Sequence, residues 1–373
     1  MRVLYFSDNC SDHNRRFLEK LSQSGIEVWF LDPTSESLAD NWLPPGVHWV
    51  RTRQKWRRDL VPSAFAEFLP EFQDCLEAIR PDLIHAGPVH NCGYLTALSH
   101  FHPWLLTSWG ADILSTLDQS NYTDAGQLAL SSADGFFCDC NAVRARARQL
   151  KDLADDRIVQ FPWGIRKGSF SPEGALPVED ESTREPGTRV FLSTRSWEPI
   201  YGIDVLLQAF QIAYSVESSL RLLLLGNGSE ASQIREFITS HGLEHVVRVP
   251  GHVSRRDMPK WFRVADVYVS CAKSDGTSVS LLEAMATGLP VVVTDIPSNR
   301  EWVVEAENGW LAPSASVEEF ANRFLLSARL SPEQRHGISQ RNRRVVEERA
   351  DWDRNFPMLL EMYKHLVSSL GTR

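Results

Sequence analysis

Short runs of aliphatic and aromatic residues alternate with longer amphipathic segments from the first residue, and the whole rhythm occurs twice. In the first half Val3–Phe6, Glu27–Leu31, Leu83–His85, Trp104–Thr107, Gly135–Cys138 and Ile158–Phe161 read as strands, with helices over Asn14–Ser24 and Tyr94–Ser99. In the second half Val190–Ser193, Leu220–Leu225, Val246–Val249, Asp266–Ser270 and Val291–Thr294 read as strands, with a helix over Ile203–Tyr214. Strands that stay apolar, without a polar residue at every second place, are buried on both faces, which is the pattern of parallel sheets covered by helices. The expected fold class is therefore α/β, with two doubly wound Rossmann-like domains facing each other across a cleft.

The rhythm breaks once. Ser171–Thr188 is rich in proline, glycine and acidic residues and nearly free of apolar ones, which marks an exposed linker. The expected organisation is a first domain over 1–170, a linker over 171–188 and a second domain over 189–350. A segment over 351–373 follows, whose stripe of Trp352, Phe356, Leu359, Leu360, Tyr363 and Leu366 has helical spacing and no strand after it.

Composition narrows the function. With 373 residues the chain is long enough for two cores, and a net charge of −9 argues against a nucleic-acid binder, which needs a basic footprint. The six cysteines are scattered and lack metal-ligand spacing, so neither a metal nor a cofactor is expected. The apolar run at the N-terminus is too short for a signal peptide, and a cytoplasmic location is expected. The run Arg51, Arg53, Lys55, Arg57 and Arg58 around Trp56 suits a solvated face; it also suits anionic lipid headgroups on the inner face of a membrane, or a phosphorylated acceptor.

The strongest local signal runs from Ser270 to Asp295. A strand is followed by a loop with Gly276, then by Thr277 and Ser278, and then by a helix beginning at Val279 and stopped by Gly288 and Pro290. A strand, glycine loop and helix start in that order aim backbone N–H groups and the positive end of a helix dipole out of the sheet, which is a place for phosphate. Asp275 and Glu283 bracket it, and carboxylates accept hydrogen bonds from sugar hydroxyls.

These residues resemble the retaining family-4 glycosyltransferases of the GT-B fold. That family carries two glutamates at this spacing before an alanine-rich helix and a Gly-x-Pro-Val-Val strand; here they stand as Asp275, one methylene shorter than the usual glutamate, and Glu283, followed by Ala284-Met285-Ala286, Gly288 and Pro290-Val291-Val292. Pro81-Asp82-Leu83-Ile84-His85, Phe161-Pro162-Trp163-Gly164-Ile165 and Gly202-Ile203-Asp204 also match its pattern. The resemblance implies a nucleotide diphosphate sugar as co-substrate, a glycan, lipid-linked or small-molecule acceptor, transfer of a hexose with retention and without metal, and a last helix that crosses back to the first domain. Arg195, Asp275 and Asp112 are the implied catalytic residues. Glu283 would hold the ribose, and Gly276, Thr277, Ser278, Val279, Lys273, Tyr201, Gly202, Gly226 and Val253 complete the implied nucleotide-sugar set. The chain departs from the family at Tyr201, where a lysine is usual, at Trp109, which replaces a loop histidine before Gly110-Ala111-Asp112, and at Asn9-Cys10, where glycines are usual. A weak or inactive nucleotide-sugar binder, or an epimerase of the same fold, stands as the alternative.

Overall fold

The computed structural model describes residues 1–35, 37–39, 41–54, 56–57, 61–166, 168–176, 187–251 and 253–370. Two compact units emerge, one of Met1–Phe161 with Phe356–Arg373 and one of Pro162–Asn355.

The first unit is built on seven strands: β1 (Arg2–Phe6), β2 (Glu27–Leu31), β3 (Val47–Val50), β4 (Leu83–Ala86), β5 (Trp104–Thr107), β6 (Gly135–Cys138) and β7 (Ile158–Gln160). They pair in the order β3-β2-β1-β4-β5-β6-β7, every pair parallel. The uninterrupted apolar runs follow from this. Leu4 and Phe6 of β1 enter a cluster with Ile84, Leu106 and Phe136 on one face of the sheet. Tyr5 between them packs against Phe17 and His85. Each such side chain contributes about 1.5–3 kcal/mol when fully buried, so a strand with two buried faces cannot afford polar alternation.

The helix Pro357–Leu370 belongs to this unit and lies against β4, β6 and β7. Leu359, Tyr363 and Leu366 form its buried stripe, and the Tyr363 hydroxyl hydrogen-bonds to His85 Nδ1, whose Nε2 meets Thr107.

The second unit has β8 (Arg189–Ser193), β9 (Leu220–Leu225), β10 (Val247–Gly251), β11 (Val267–Ser270), β12 (Val291–Thr294) and β13 (Gly309–Ala312), in the order β10-β9-β8-β11-β12-β13 and again all parallel. Phe191 of β8 feeds one core, while Val190 and Leu192 feed the other on the opposite face.

Unit boundaries differ from the sequence-based ones. Residues 162–170 fall in the second unit rather than the first, because Ile165 pairs with Asp351 and Phe170 packs against Phe262. The expected C-terminal segment over 351–373 is split for a related reason. A short helix, Trp352–Asn355, stays with the second unit, and Pro357, which cannot continue a helix from behind, opens the next one. Residues 177–186 of the expected linker lie outside the described residues.

Candidate functional site

In a doubly wound sheet the ligand crevice lies outside the carboxyl ends of the strands where the winding reverses. In the second unit that place is between β8 and β11, and the loops leaving these strands carry Arg195, Tyr201 and Gly202 on one side and Lys273, Asp275, Gly276, Thr277 and Ser278 on the other. The loops are tied together by a hydrogen bond from Lys273 N–H to the Ile200 carbonyl, 2.8 Å. Gly202 has φ +62°, and a Cβ there would lie 2.4 Å from the Cys271 carbonyl oxygen, so the close approach requires glycine.

Two helices start at this crevice. Ile203–Val216 begins at Gly202 with no side-chain cap, and Val279–Ala286 begins at Ser278, whose hydroxyl accepts from Leu281 N–H. Their N-termini place unshared N–H groups and the positive ends of two dipoles at one spot.

Arg195 is set among these elements. Its Nη1 donates to the hydroxyls of Ser278 at 2.8 Å and Ser280 at 3.2 Å. Its Nη2 lies 2.8 Å from Asp275 Oδ2, and its guanidinium sits over the Tyr201 ring, 4.1 Å from the centroid. Ser280 is in turn hydrogen-bonded to the Tyr268 hydroxyl at 2.7 Å. Burial pulls the Arg195 pKa down, but Asp275, Tyr201 and Tyr268 together outweigh it and the cation is held above its ordinary value. Burial pushes the Asp275 carboxyl up, and Arg195 offsets this only in part.

Glu283 is buried on the helix that Ser278 caps. Gly226, at the end of β9, backs onto the Arg195 loop: a Cβ there would meet the Arg195 carbonyl at 2.6 Å. Lys273 is exposed at the rim. Val253 follows β10, two strands from the crevice, half-buried against the core that contains Tyr268 and Leu281. Ser280 and Tyr268 were not anticipated. Their signals were a third hydroxyl in Thr277-Ser278-Val279-Ser280, and a tyrosine inside an otherwise aliphatic buried strand, whose hydroxyl must find a partner.

Asp112 belongs to the first unit, and its carboxylate has other duties. Oδ1 accepts from Ser108 Oγ (2.6 Å), Trp109 N–H (3.0 Å) and Ile113 N–H (2.9 Å), and Oδ2 accepts from Val89 N–H at 3.0 Å. A carboxylate satisfied four times by its own chain ties together the loops after β4 and β5.

The described residues of the basic run have interaction partners. Trp56 is a core residue stacked on Phe6, Arg53 pairs with Asp74 at 2.9 Å, and Arg51 lies over Trp49. Lys55 and Arg58 lie outside the described residues, and Arg57 also has an interaction partner. Among the described residues no group of His, Cys, Asp and Glu is placed to hold a metal ion, no disulfide joins any of the six cysteines, and no helix is long and apolar enough to cross a membrane.

Two parallel-sheet α/β units with this site at a switch point define the GT-B class of fold, and solved structures agree. The sucrose-phosphate synthase of Thermosynechococcus elongatus superposes with a TM-score of 0.83 over 99% of this chain and 100% of its own, at 18% identity. HepE of Anabaena, in complex with UDP and glucose, gives 0.76 over 100% of both chains at 17% identity. The chain carries a glycosyl transferase 4-like domain over residues 2–140 and a glycosyl transferases group 1 domain over residues 178–345. Among curated relatives, the putative colanic acid biosynthesis glycosyltransferase WcaL of Escherichia coli is 30% identical over 64% of this chain and 58% of its own. The GtfA subunit of a UDP-N-acetylglucosamine–peptide N-acetylglucosaminyltransferase from Streptococcus pneumoniae is 31% identical over 31% of this chain, a match that spans 22% of the relative. The chain thus covers less than two thirds of the length of these relatives.

Proposed function

We propose that the protein transfers a hexose from a nucleotide diphosphate donor to a glycan, lipid-linked or small-molecule hydroxyl acceptor, with retention of configuration. The observation that carries this reading is Arg195, a largely enclosed cation held by Ser278, Ser280 and Tyr201, beside the starts of two helices. Negative charge grows on the leaving β-phosphate as the glycosidic bond breaks, and fixed donors already aimed at that charge lower the barrier without reorganising. Arg195 and the N–H groups at Thr277–Val279 are such donors, so the leaving group is stabilised by protein groups rather than by a metal. Glu283 holds the ribose, and Asp275 accepts from hydroxyls of the donor sugar. The acceptor's proton passes to the departing phosphate oxygen.

UDP is the first base to test, since the solved structures of HepE and of the pneumococcal GtfA hold UDP; GDP is the second. A thermal-shift screen against UDP-, GDP- and ADP-sugars, followed by turnover of whichever donor stabilises the chain, tests the reading. Stabilisation with release of nucleoside diphosphate to an acceptor is expected. Binding without turnover would leave a nucleotide-sugar binder, recovery of an epimerised donor would make the chain an epimerase, and stabilisation by no donor would overturn the proposal.

A further inference from the structure

Arg195 and Asp275 are opposite charges set side by side at the switch point with their side chains 11% and 19% exposed, and each serves as the other's counter-ion. Their contact is one of charge more than of direction. Asp275 Oδ2 lies 2.8 Å from Arg195 Nη2, yet this oxygen, hidden from solvent, makes no well-directed hydrogen bond, and Arg195 Nε is also buried without one. The directed bonds of the guanidinium go instead to Ser278 and Ser280. An ion pair whose mutual contact is poorly directed is open to exchange for a better-directed, charge-assisted partner.

A diphosphate is such a partner for Arg195. When it takes the guanidinium, Asp275 keeps its hydrogen bonds from Gly276 and Ser278 but loses its counter-ion, and the enclosed Oδ2 is costly to leave so unless further donors reach it. The hydroxyls of a sugar still attached to the diphosphate can reach it, whereas a spent nucleoside diphosphate brings none.

We propose that Asp275 is a specificity-determining counter-ion: it neutralises Arg195 until a diphosphate displaces it, and it then demands the hydroxyl donors of the attached sugar. The site thereby favours the nucleotide sugar over the spent nucleoside diphosphate, and once the sugar has left, Asp275 re-pairs with Arg195 and helps to expel the product. This rests on the glycosyltransferase reading and deepens it.

Calorimetric titration of the full chain with UDP and UDP-glucose, or with GDP and GDP-mannose if that pair stabilises the wild type, tests the proposal. Asp275→Asn removes the charge and keeps the shape. It should bind the bare diphosphate about tenfold more tightly, equal to about 1.4 kcal/mol, without a matching gain for the sugar nucleotide, so that the preference for the donor falls by about tenfold or more. Parallel changes for both ligands, or weaker binding of the bare diphosphate, would overturn the proposal while leaving the glycosyltransferase reading intact; a wild type that binds neither pair sinks both. The wild type also gives a check that needs no variant. Among UDP-glucose analogues deoxygenated at each ring position in turn, at least one should bind as weakly as UDP, and undiminished binding of all of them would contradict the account.

Discussion

Tyr201 shows how one arginine can stand where the resemblance calls for an arginine and a lysine. Its ring lies beneath the Arg195 guanidinium, and the hydroxyls of Ser278 and Ser280 fix the cation from the side. A cation–π contact of a desolvated pair is worth about 0.5–2 kcal/mol. Tyr201→Ala is therefore expected to lower donor turnover by roughly threefold to thirtyfold, and Tyr201→Phe, which keeps the ring, by clearly less; equal losses in steady-state kinetics would show that the ring has no positioning role. Glu283→Ala should weaken binding of the bare nucleoside diphosphate by about tenfold to a hundredfold, because a hydrogen bond to a charged group is worth about 1.5–3 kcal/mol. Calorimetry checks this, and unchanged affinity would remove Glu283 from the ribose. Arg195, Asp275 and Ser278 were legible as chemistry-bearing residues in the sequence. Their mutual contacts were not, since Arg195 and Asp275 are brought together only by the pairing of β8 with β11.

The central strands were legible because parallel pairing buries both faces and leaves uninterrupted apolar runs. Two strands escaped notice, both at sheet edges: β3, whose residues after Val47 are only partly covered or exposed, and β13, a mostly buried run of four residues that begins at Gly309. The break in the C-terminal segment had a visible signal in Pro357, masked by an apolar stripe that runs on across it. The helix after that break is tied to the sheet through His85, and this tie has a consequence for acid stability. Burial drives the His85 pKa from 6.5 down to about 3. Between these values the unfolded chain binds the extra proton and the folded one does not, so stability is full above about pH 6.5 and falls by about 1.4 kcal/mol per unit as pH drops toward 3. Chemical denaturation monitored across pH 4–7 should show that slope, and His85→Gln should flatten it; an unchanged slope in the variant would assign the acid sensitivity to other groups. Gly202→Ala places a side chain at positive φ against the Cys271 carbonyl. The left-handed backbone alone costs about 1–3 kcal/mol, so a lower Tm together with weakened nucleotide binding is expected.

At the scale of the whole molecule the second unit holds Arg195, Asp275, Ser278 and Glu283, the groups the proposal assigns to the donor. In the first unit Asp112 ties together the loops after β4 and β5. Because the proposed leaving-group stabilisation comes from Arg195 and helix N–H groups, EDTA should leave turnover unchanged; a loss that magnesium or manganese restores would require a metal at the diphosphate. The boundaries near residues 161 and 356 were not legible, since Ile165 and Asp351 lie far apart in sequence and only their pairing assigns both segments to the second unit. The central claim is that the diphosphate of a sugar donor is stabilised by Arg195, and the most direct test is kcat of Arg195→Ala with the donor that the screen identifies. The account predicts a loss on the order of a hundredfold or more, about 2.7 kcal/mol of transition-state stabilisation, in a variant that retains its fold by circular dichroism. Wild-type turnover in that variant would place the diphosphate elsewhere and contradict the account.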